Sequence, residues 1–350
     1  MAQILDERQK TILRDIVHHF VLTANPVGSQ FLSGRSKLRM SPATIRNIMA
    51  ELEAMGFIER PHTSAGRVPT DRGYRYYVDE LMQSEELTEA EKSNVRELLR
   101  QVDDYDELLW ESSRILGKIL HQLAIVSLPP LSSGIFEQLE IVPLASNKLF
   151  IVLSIRSGLV KTIMMEVSSD VPHDRIRIIA SILNERLAGL TLEEIRNSFA
   201  ERVKDVRQLE GEVIARFALN AEKIFADFPG GVRAHVTGTQ YILSQPEFHD
   251  PQTVRRLMDL LENEEGIAHV VENSLLQPVQ RTEPLKLEAH VTIGREHTLR
   301  RLEPYGLVTA SYSAGGINGT IGVLGPKRMP YNRILPTVCY VAECLSSIMS

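Results

Sequence analysis

Three polar side chains, Thr44, Arg46 and Asn47, stand close together in the run Ser41-Pro42-Ala43-Thr44-Ile45-Arg46-Asn47-Ile48-Met49-Ala50-Glu51-Leu52-Glu53-Ala54-Met55-Gly56. A hydroxyl, a guanidinium and a carboxamide are the groups that hydrogen-bond base edges in a DNA groove. They can do so only from a helix able to approach closely. Ser41 is a good N-cap, Pro42 suits the first helical position, where no N–H is needed, and Gly56 is a natural stop. At about 100° per residue, Ile45, Ile48, Met49 and Leu52 fall on one face that must be packed on something. The opposite face carries Ala43, Asn47, Ala50 and Ala54, small enough to let the backbone near a groove. Glu51 and Glu53 would be repelled by phosphates, so the N-terminal half is the half that enters, with the helix dipole favourable there.

Other elements must hold this helix in place. Residues 6 to 23 form a first helix with Ile12, Leu13, Ile16, Val17 and Phe20 as its apolar stripe. His18-His19 lie within it without a second ligand at i+4, so they read as solvated or packed. Asn25-Pro26 ends that element, Val27 to Leu32 is a short second helix, and Gly34 to Met40 is a basic turn carrying Arg35, Lys37 and Arg39. Three such helices match a helix-turn-helix. Phe57-Ile58-Glu59-Arg60 and Arg67-Val68-Pro69-Thr70 then read as a hairpin around Pro61 to Gly66, a wing directly after the recognition helix. Arg60, His62, Arg67, Arg72 and Arg75 are expected mostly on phosphates, fixing register and giving salt-dependent affinity. Thr70 caps a further helix whose Tyr74, Tyr77, Val78 and Leu81 read as packing.

Charge agrees with that placement. The chain of 350 residues has net charge −6, yet residues 1–75 hold 11 Lys+Arg against 7 Asp+Glu, a surplus of four, leaving −10 for the rest. Any polyanion contact belongs in the N-terminal quarter. Cys339 and Cys344, the two cysteines, read as reduced thiols in a cytoplasmic protein. The N-terminus lacks a signal-peptide pattern, and no apolar run approaches the ~20 residues that span a bilayer, so a soluble chain with no membrane partner is expected.

This length suggests two or three domains. The acidic residues 84 to 107 read as a solvated helical connector, and Leu108, Trp110, Ile115, Leu116, Ile119 and Leu120 open the next core, Trp110 as a packed side chain. From Ile135 the period becomes two. Ile135 to Leu144, Leu149 to Ile155 and Val160 to Val167 read as an antiparallel meander. Helical stripes follow at 176–187, after Thr191, and through Val206, Leu209, Val213, Phe217 and Ile224. Such a sheet, covered on one side, keeps an apolar face in need of cover, for which a second copy of the chain is expected. After Pro229-Gly230-Gly231 the pattern is mixed: strands at 232–237 and 285–293, a helix over Pro251 to Asn263, a hairpin of Leu307 to Ser313 with Thr320 to Leu324, and a last helix from about Tyr331. Ile334, Val338, Val341, Leu345 and Ile348 on that helix suit packing on a sheet.

Catalytic signatures are missing. Gly315-Gly316-Ile317-Asn318-Gly319-Thr320-Ile321-Gly322 lacks the Lys-Ser/Thr of a phosphate loop and reads as a hairpin turn. The ten histidines are dispersed, no carboxylate pair stands out, and the serine in Thr63-Ser64-Ala65-Gly66-Arg67 has no nearby base. Neither an enzyme nor a resident metal or cofactor is expected.

Asn25-Pro26-Val27-Gly28-Ser29, Ser41-Pro42-Ala43-Thr44-Ile45-Arg46-Asn47, Gly56-Phe57-Ile58, His62-Thr63-Ser64-Ala65-Gly66-Arg67-Val68-Pro69-Thr70 and Gly73-Tyr74-Arg75 together resemble the HrcA family of bacterial heat-inducible transcription repressors. Gln245-Pro246-Glu247-Phe248 and Ile321-Gly322-Val323-Leu324-Gly325-Pro326, with Arg328-Met329 and Tyr331, extend the resemblance over essentially the whole chain. It implies an α+β multidomain protein with an N-terminal winged helix-turn-helix (1–83), the connector (84–107), a discontinuous GAF-like α/β domain (108–133 and 229–350), and an inserted dimerisation domain (134–228) made of the three-stranded sheet and helices. It also implies a homodimer on an inverted-repeat operator in double-stranded DNA, upstream of chaperonin and DnaK-type chaperone operons, which it represses. Activity would depend on folding assisted by a GroEL-type chaperonin. Ser41, Thr44, Arg46 and Asn47 carry over as groove contacts, Arg46 suited to guanine and Asn47 to adenine, and His62, Ser64 and Arg67 as wing contacts. The alternative is a winged-helix regulator controlled by a small ligand in its GAF-like domain.

Overall fold

The computed structural model describes residues 5–35, 40–62, 65–145, 147–156, 158–167, 171–205, 211–226, 234–262, 271 and 289–349. Helix α1 (Glu7–Thr23) begins with a capping box in which the Asp6 carboxylate accepts from the Arg8 and Gln9 N–H groups, and it buries Ile12, Leu13, Ile16 and Val17. Helices α2 (Ser29–Arg35) and α3 (Pro42–Ala54) follow, and the stripe Ile45, Ile48, Met49 and Leu52 on α3 is buried. Gly56, at φ 77°, ends α3. Its N–H donates to the Glu53 carbonyl and that of Phe57 to the Leu52 carbonyl, both at 2.9 Å, which satisfies carbonyls the helix would leave open.

Val27 does not begin α2 as expected. Its N–H and carbonyl pair with Arg67 at 2.9 and 2.8 Å, tying the loop between α1 and α2 to the hairpin. Gly66 permits this approach, since a Cβ there would come within 2.5 Å of the Val27 backbone. The hairpin is β1 (Ile58–Glu59) against β2 (Val68–Pro69). Helix α4 (Asp71–Tyr76), capped by Thr70, runs into a π-helical turn, Tyr77–Leu81, that no sequence pattern announced. Tyr74, Tyr77, Val78 and Leu81 are buried in the common core of α1 to α4, hereafter the head.

The connector is not a solvated rod. Helix α5 (Glu89–Arg100) buries Val95 and Leu99, its capping box at Thr88 and Glu91 is complete, and it packs on the C-terminal helix. Helix α6 (Tyr105–Leu120) ends at His121, which takes φ 52°, and an unanticipated strand β3 (Leu123–Ser127), buried throughout, follows at once. Trp110 corrects the sequence reading. It lies on the outer side of α6, 45% exposed, with the Arg114 guanidinium 5.8 Å from its ring centre.

Strands β4 (Phe136–Ala145), β5 (Lys148–Ile155) and β6 (Val160–Glu166) form the meander in sequence order. Helices α7 (His173–Leu187), α8 (Leu192–Arg202) and α9 (Gly211–Phe225) share a core with one face of it, where Leu139, Ile151 and Leu153 meet Ile179, Leu183, Phe199 and Phe217. The other face carries a cross-strand row, Val142, Phe150 and Met164, with Val142 41% and Met164 60% exposed. Val206 and Leu209, assigned to the third of these helices, and Pro229-Gly230-Gly231 lie outside the described residues.

Strands β7 (Ala234–Thr237), β8 (Ala289–Ile293), β9 (Tyr305–Ala314) and β10 (Ile317–Pro326) join β3 in an antiparallel sheet of order β7-β3-β10-β9-β8 among the described residues. Gly315 and Gly316, both at positive φ, make the two-residue turn between β9 and β10, as the glycine run suggests. Ala124, Val126, Val308 and Ala310 share the head's apolar cluster, along with α6 and the last helix, α12 (Tyr331–Ile348). Leu123, Ile125 and Leu307 belong instead to a cluster with α10 (Thr239–Leu243) and α11 (Pro251–Leu261). The strand expected from Leu285 is described from Ala289 on.

Pro336 interrupts the hydrogen-bond ladder of α12, because proline has no N–H to give the carbonyl of Asn332. That carbonyl accepts instead from the Glu85 N–H at 2.9 Å. Arg333 donates beside it to Glu85 and Glu91 at 3.2 and 2.5 Å. The segment leaving the head is thereby fastened to the C-terminal helix.

Candidate nucleic-acid interface

Packing of α3 by its apolar stripe leaves Ser41, Pro42, Ala43, Thr44, Arg46, Asn47, Ala50 and Ala54 exposed along the other side. The structure therefore gathers four of the seven singled-out residues, Ser41, Thr44, Arg46 and Asn47, on the N-terminal half of one helix. Ser41 Oγ accepts from the Thr44 N–H at 3.2 Å and lies 2.9 Å from the Thr44 hydroxyl, so the cap fixes where both hydroxyls stand. The helix dipole and the first-turn N–H groups favour an anion at this end.

His62 is exposed on the hairpin, and Arg60 is half exposed. Ser64 lies outside the described residues, as do Lys37 and Arg39 of the basic turn. Arg67 differs from the sequence expectation. Its side chain is 9% exposed and forms an ion pair with Glu53 at 2.7 Å, while Arg60 stands 3.5 Å from the same carboxylate. Glu53 thus turns away from the exposed polar side of α3 and holds the hairpin against the helix. This role was not legible in sequence, because a pair fourteen residues apart across a turn has no periodic signature.

Two more arginines expected on phosphate make contacts within the protein, Arg72 while remaining exposed. Arg72 lies over the Phe57 ring at 4.5 Å and donates to the Met55 carbonyl at 2.8 Å, a cation at the C-terminus of α3. Arg75 donates to Asp79 at 3.2 Å and to Glu296 through Nε at 2.8 Å, and also to the Val291 carbonyl. Burial alone would lower its pKa. The hydrogen bond and charge of Glu296, with Asp79, outweigh that and raise it, keeping the guanidinium charged.

Among the described residues, no group of three His, Cys, Asp or Glu side chains gathers as a metal site, and no helix is long and apolar enough to cross a membrane. A family model described as the HrcA protein C terminal domain matches residues 106–335. A heat-inducible transcription repressor HrcA from Prosthecochloris aestuarii is 42% identical, covering 99% of this chain and 98% of its own. Those from Chlorobium phaeobacteroides and Chlorobaculum tepidum are each 40% identical, over 100% and 98% of this chain and 100% and 97% of theirs. A solved structure described as a hypothetical protein shares the fold, with TM-score 0.59, 21% identity and 99% of each chain covered. A mixed helix and sheet architecture whose head exposes a helix face of small and polar residues, with relatives of this kind, defines a transcription regulator. The chain belongs to the HrcA family of heat-inducible transcription repressors.

Proposed function

We propose that the chain represses heat-shock genes by binding, as a homodimer, an inverted-repeat operator in the double-stranded DNA ahead of chaperonin and DnaK-type chaperone operons. The carrying observation is the α3 surface: a buried apolar stripe behind it, and Ser41, Thr44, Arg46 and Asn47 exposed in front. In this reading the head is a winged helix-turn-helix, Arg46 and Asn47 contact base edges, and His62 and Ser64 meet the backbone from the wing. Arg67 takes a different part from the one its sequence position suggests, bracing the wing through Glu53.

Two-fold symmetry of protein and operator would let each head read one half-site. The row Val142, Phe150 and Met164 on the meander supports a paired state, since apolar side chains standing in water across three neighbouring strands gain by cover from a second copy. Dependence on a GroEL-type chaperonin is supported by the head's bonds to the far end of the chain. Arg328 donates to the Val21 carbonyl across 307 residues and Arg75 to Glu296 across 221. Contacts so distant in sequence form late, after a period in which apolar surface stands exposed.

Operator titration by gel shift tests the reading, with and without chaperonin and at rising temperature. Asn47→Ala and Arg46→Ala should each lose about 1–3 kcal/mol of preference for operator over random DNA. Equal losses on both DNAs would remove base readout by α3. Operator occupancy that is the same with and without chaperonin after heating would remove the folding dependence.

A further inference from the structure

Gln245-Pro246-Glu247-Phe248, and the stretch that runs into Arg328, Met329 and Tyr331, lie far from α3 in sequence and have no part in reading bases. The structure brings both to the joint between the head and the rest of the chain. Arg328 is 12% exposed and is held by both carboxylate oxygens of Glu247, the second at 2.8 Å, with Gln245 at 3.4 Å. So fixed, it donates through Nη1 to the Val21 carbonyl near the C-terminal end of α1, at 3.0 Å. Its neighbour Lys327 reaches a different helix, donating to Asp71 at the start of α4 at 2.6 Å. The other Asp71 oxygen accepts from the Arg295 N–H at 3.0 Å. One turn further along α4, Arg75 meets Glu296 and the Val291 carbonyl.

Apolar contact at this joint, such as Tyr74 against Tyr331 with ring centres 6.5 Å apart, is non-directional and lets two surfaces slide. Charge-assisted hydrogen bonds are directional. Here they act at three separated points on two head helices, and three such points fix the head against rotation about every axis. We propose that Arg328, Asp71 and Arg75 are positioning residues that hold each head at a set angle on the body, so that the joint determines which spacing between operator half-sites the dimer accepts. This rests on the paired-reader reading above, and the test separates the two.

The perturbation that leaves all charges in place is Gly294→Ala. Gly294 sits at φ 60°, and a Cβ there would overlap the Asp71 carboxylate, pushing it off Arg295 and Lys327. Asp71→Asn is the isosteric companion that removes the charge. The full-length protein is titrated against a single half-site, the full operator, and operators whose spacer is lengthened by about five base pairs, half of a ~10.5 bp turn. When geometry forbids both heads to engage, the gain from the second site is lost, so the parent should bind the lengthened operator about 100-fold or more weakly. The variants should lose less than about tenfold to the same insertion, with half-site affinity unchanged, because loosened heads still reach both sites. As a second measurement without DNA, spin labels at Leu22→Cys, exposed on α1, should show a narrow distance distribution across the parent dimer and a broad one in either variant.

A parental spacer profile or an unbroadened distribution in a folded variant would overturn the proposal. So would half-site affinity falling in step with full-operator affinity, and so would loss of the folded dimer in both variants, since the contacts would then serve stability alone. A parent indifferent to spacing would overturn the paired-reader reading itself, and this proposal with it.

Discussion

Replacing Arg67 by alanine distinguishes a brace from a phosphate contact. The side chain is 9% exposed and its ion pair with Glu53 measures 2.7 Å, so the substitution removes a charge-assisted hydrogen bond of about 1.5–3 kcal/mol. It also removes an aliphatic stem packed inside the hairpin. Glu53 is not left stranded: its side chain is 32% exposed and Arg60 remains 3.5 Å away, so little penalty for an unpaired carboxylate is added. A loss of about 1–3 kcal/mol in stability follows, read as a lower urea midpoint at constant slope. If the hairpin meets DNA as proposed, affinity for operator and for random DNA should fall together, because the hairpin is displaced in both cases. The slope of log affinity against log salt should stay as in the parent, since no phosphate loses a cation. Titrations at several salt concentrations, beside the urea curve, check this. A slope reduced by about 0.9 with an unchanged midpoint would refute the bracing argument, because that is the signature of one lost phosphate contact.

Met164→Glu places a charge in the exposed row on the meander and should shift the mass measured by light scattering from dimer to monomer; an unchanged dimer mass would remove that face from the interface, as would an unchanged mass after deletion of residues 134–228. The buried Tyr74 hydroxyl has no hydrogen-bond partner among the described residues, so Tyr74→Phe should leave stability equal or raise it by about 1 kcal/mol, and a calorimetric melt that falls by several degrees would contradict this. Burial depresses the pKa of His297 against the opposing pull of the Tyr305 carbonyl and of Glu296 and Asp71. The unfolded chain then holds more protons than the fold just below the ordinary value of 6.5, so the stability from a neutral His297 is complete above that pH and is lost as pH falls through the lowered value. The melting midpoint should therefore drop less between pH 7 and pH 5 in His297→Gln than in the parent.

Where side-chain period and local chemistry decide structure, the sequence was readable. The stripe from Ile45 to Leu52, the Ser41 cap and the Gly56 stop needed nothing beyond α3 itself, and the meander and the Gly315-Gly316 turn are equally local. Strand β3 was not legible because α6 ends on a histidine in the left-handed region, without the glycine or proline that marks such a break. Val27 looks helical in sequence because the pairing that claims it comes from Arg67, forty residues on. The destinations of Arg67 and Arg75 were hidden for the same reason: an arginine in a basic segment looks free until its distant carboxylate is known. Trp110 looks like core in sequence because aromatic rings usually are, whereas the inward side of α6 is filled by Leu109, Ser112, Ser113 and Leu116.

The bond between Glu85 and the Asn332 carbonyl freed by Pro336 spans 247 residues, so the ribosome makes one end of it long before the other. A head emerging first has no anchor for its trailing segment until residues 332 and 333 have been synthesised, released and wound into a helix. Fragments from translation interrupted before that point would lack the anchor, however complete the head itself. The segment trailing the head is thus fixed only in a chain translated through residue 333, with those residues already wound into α12.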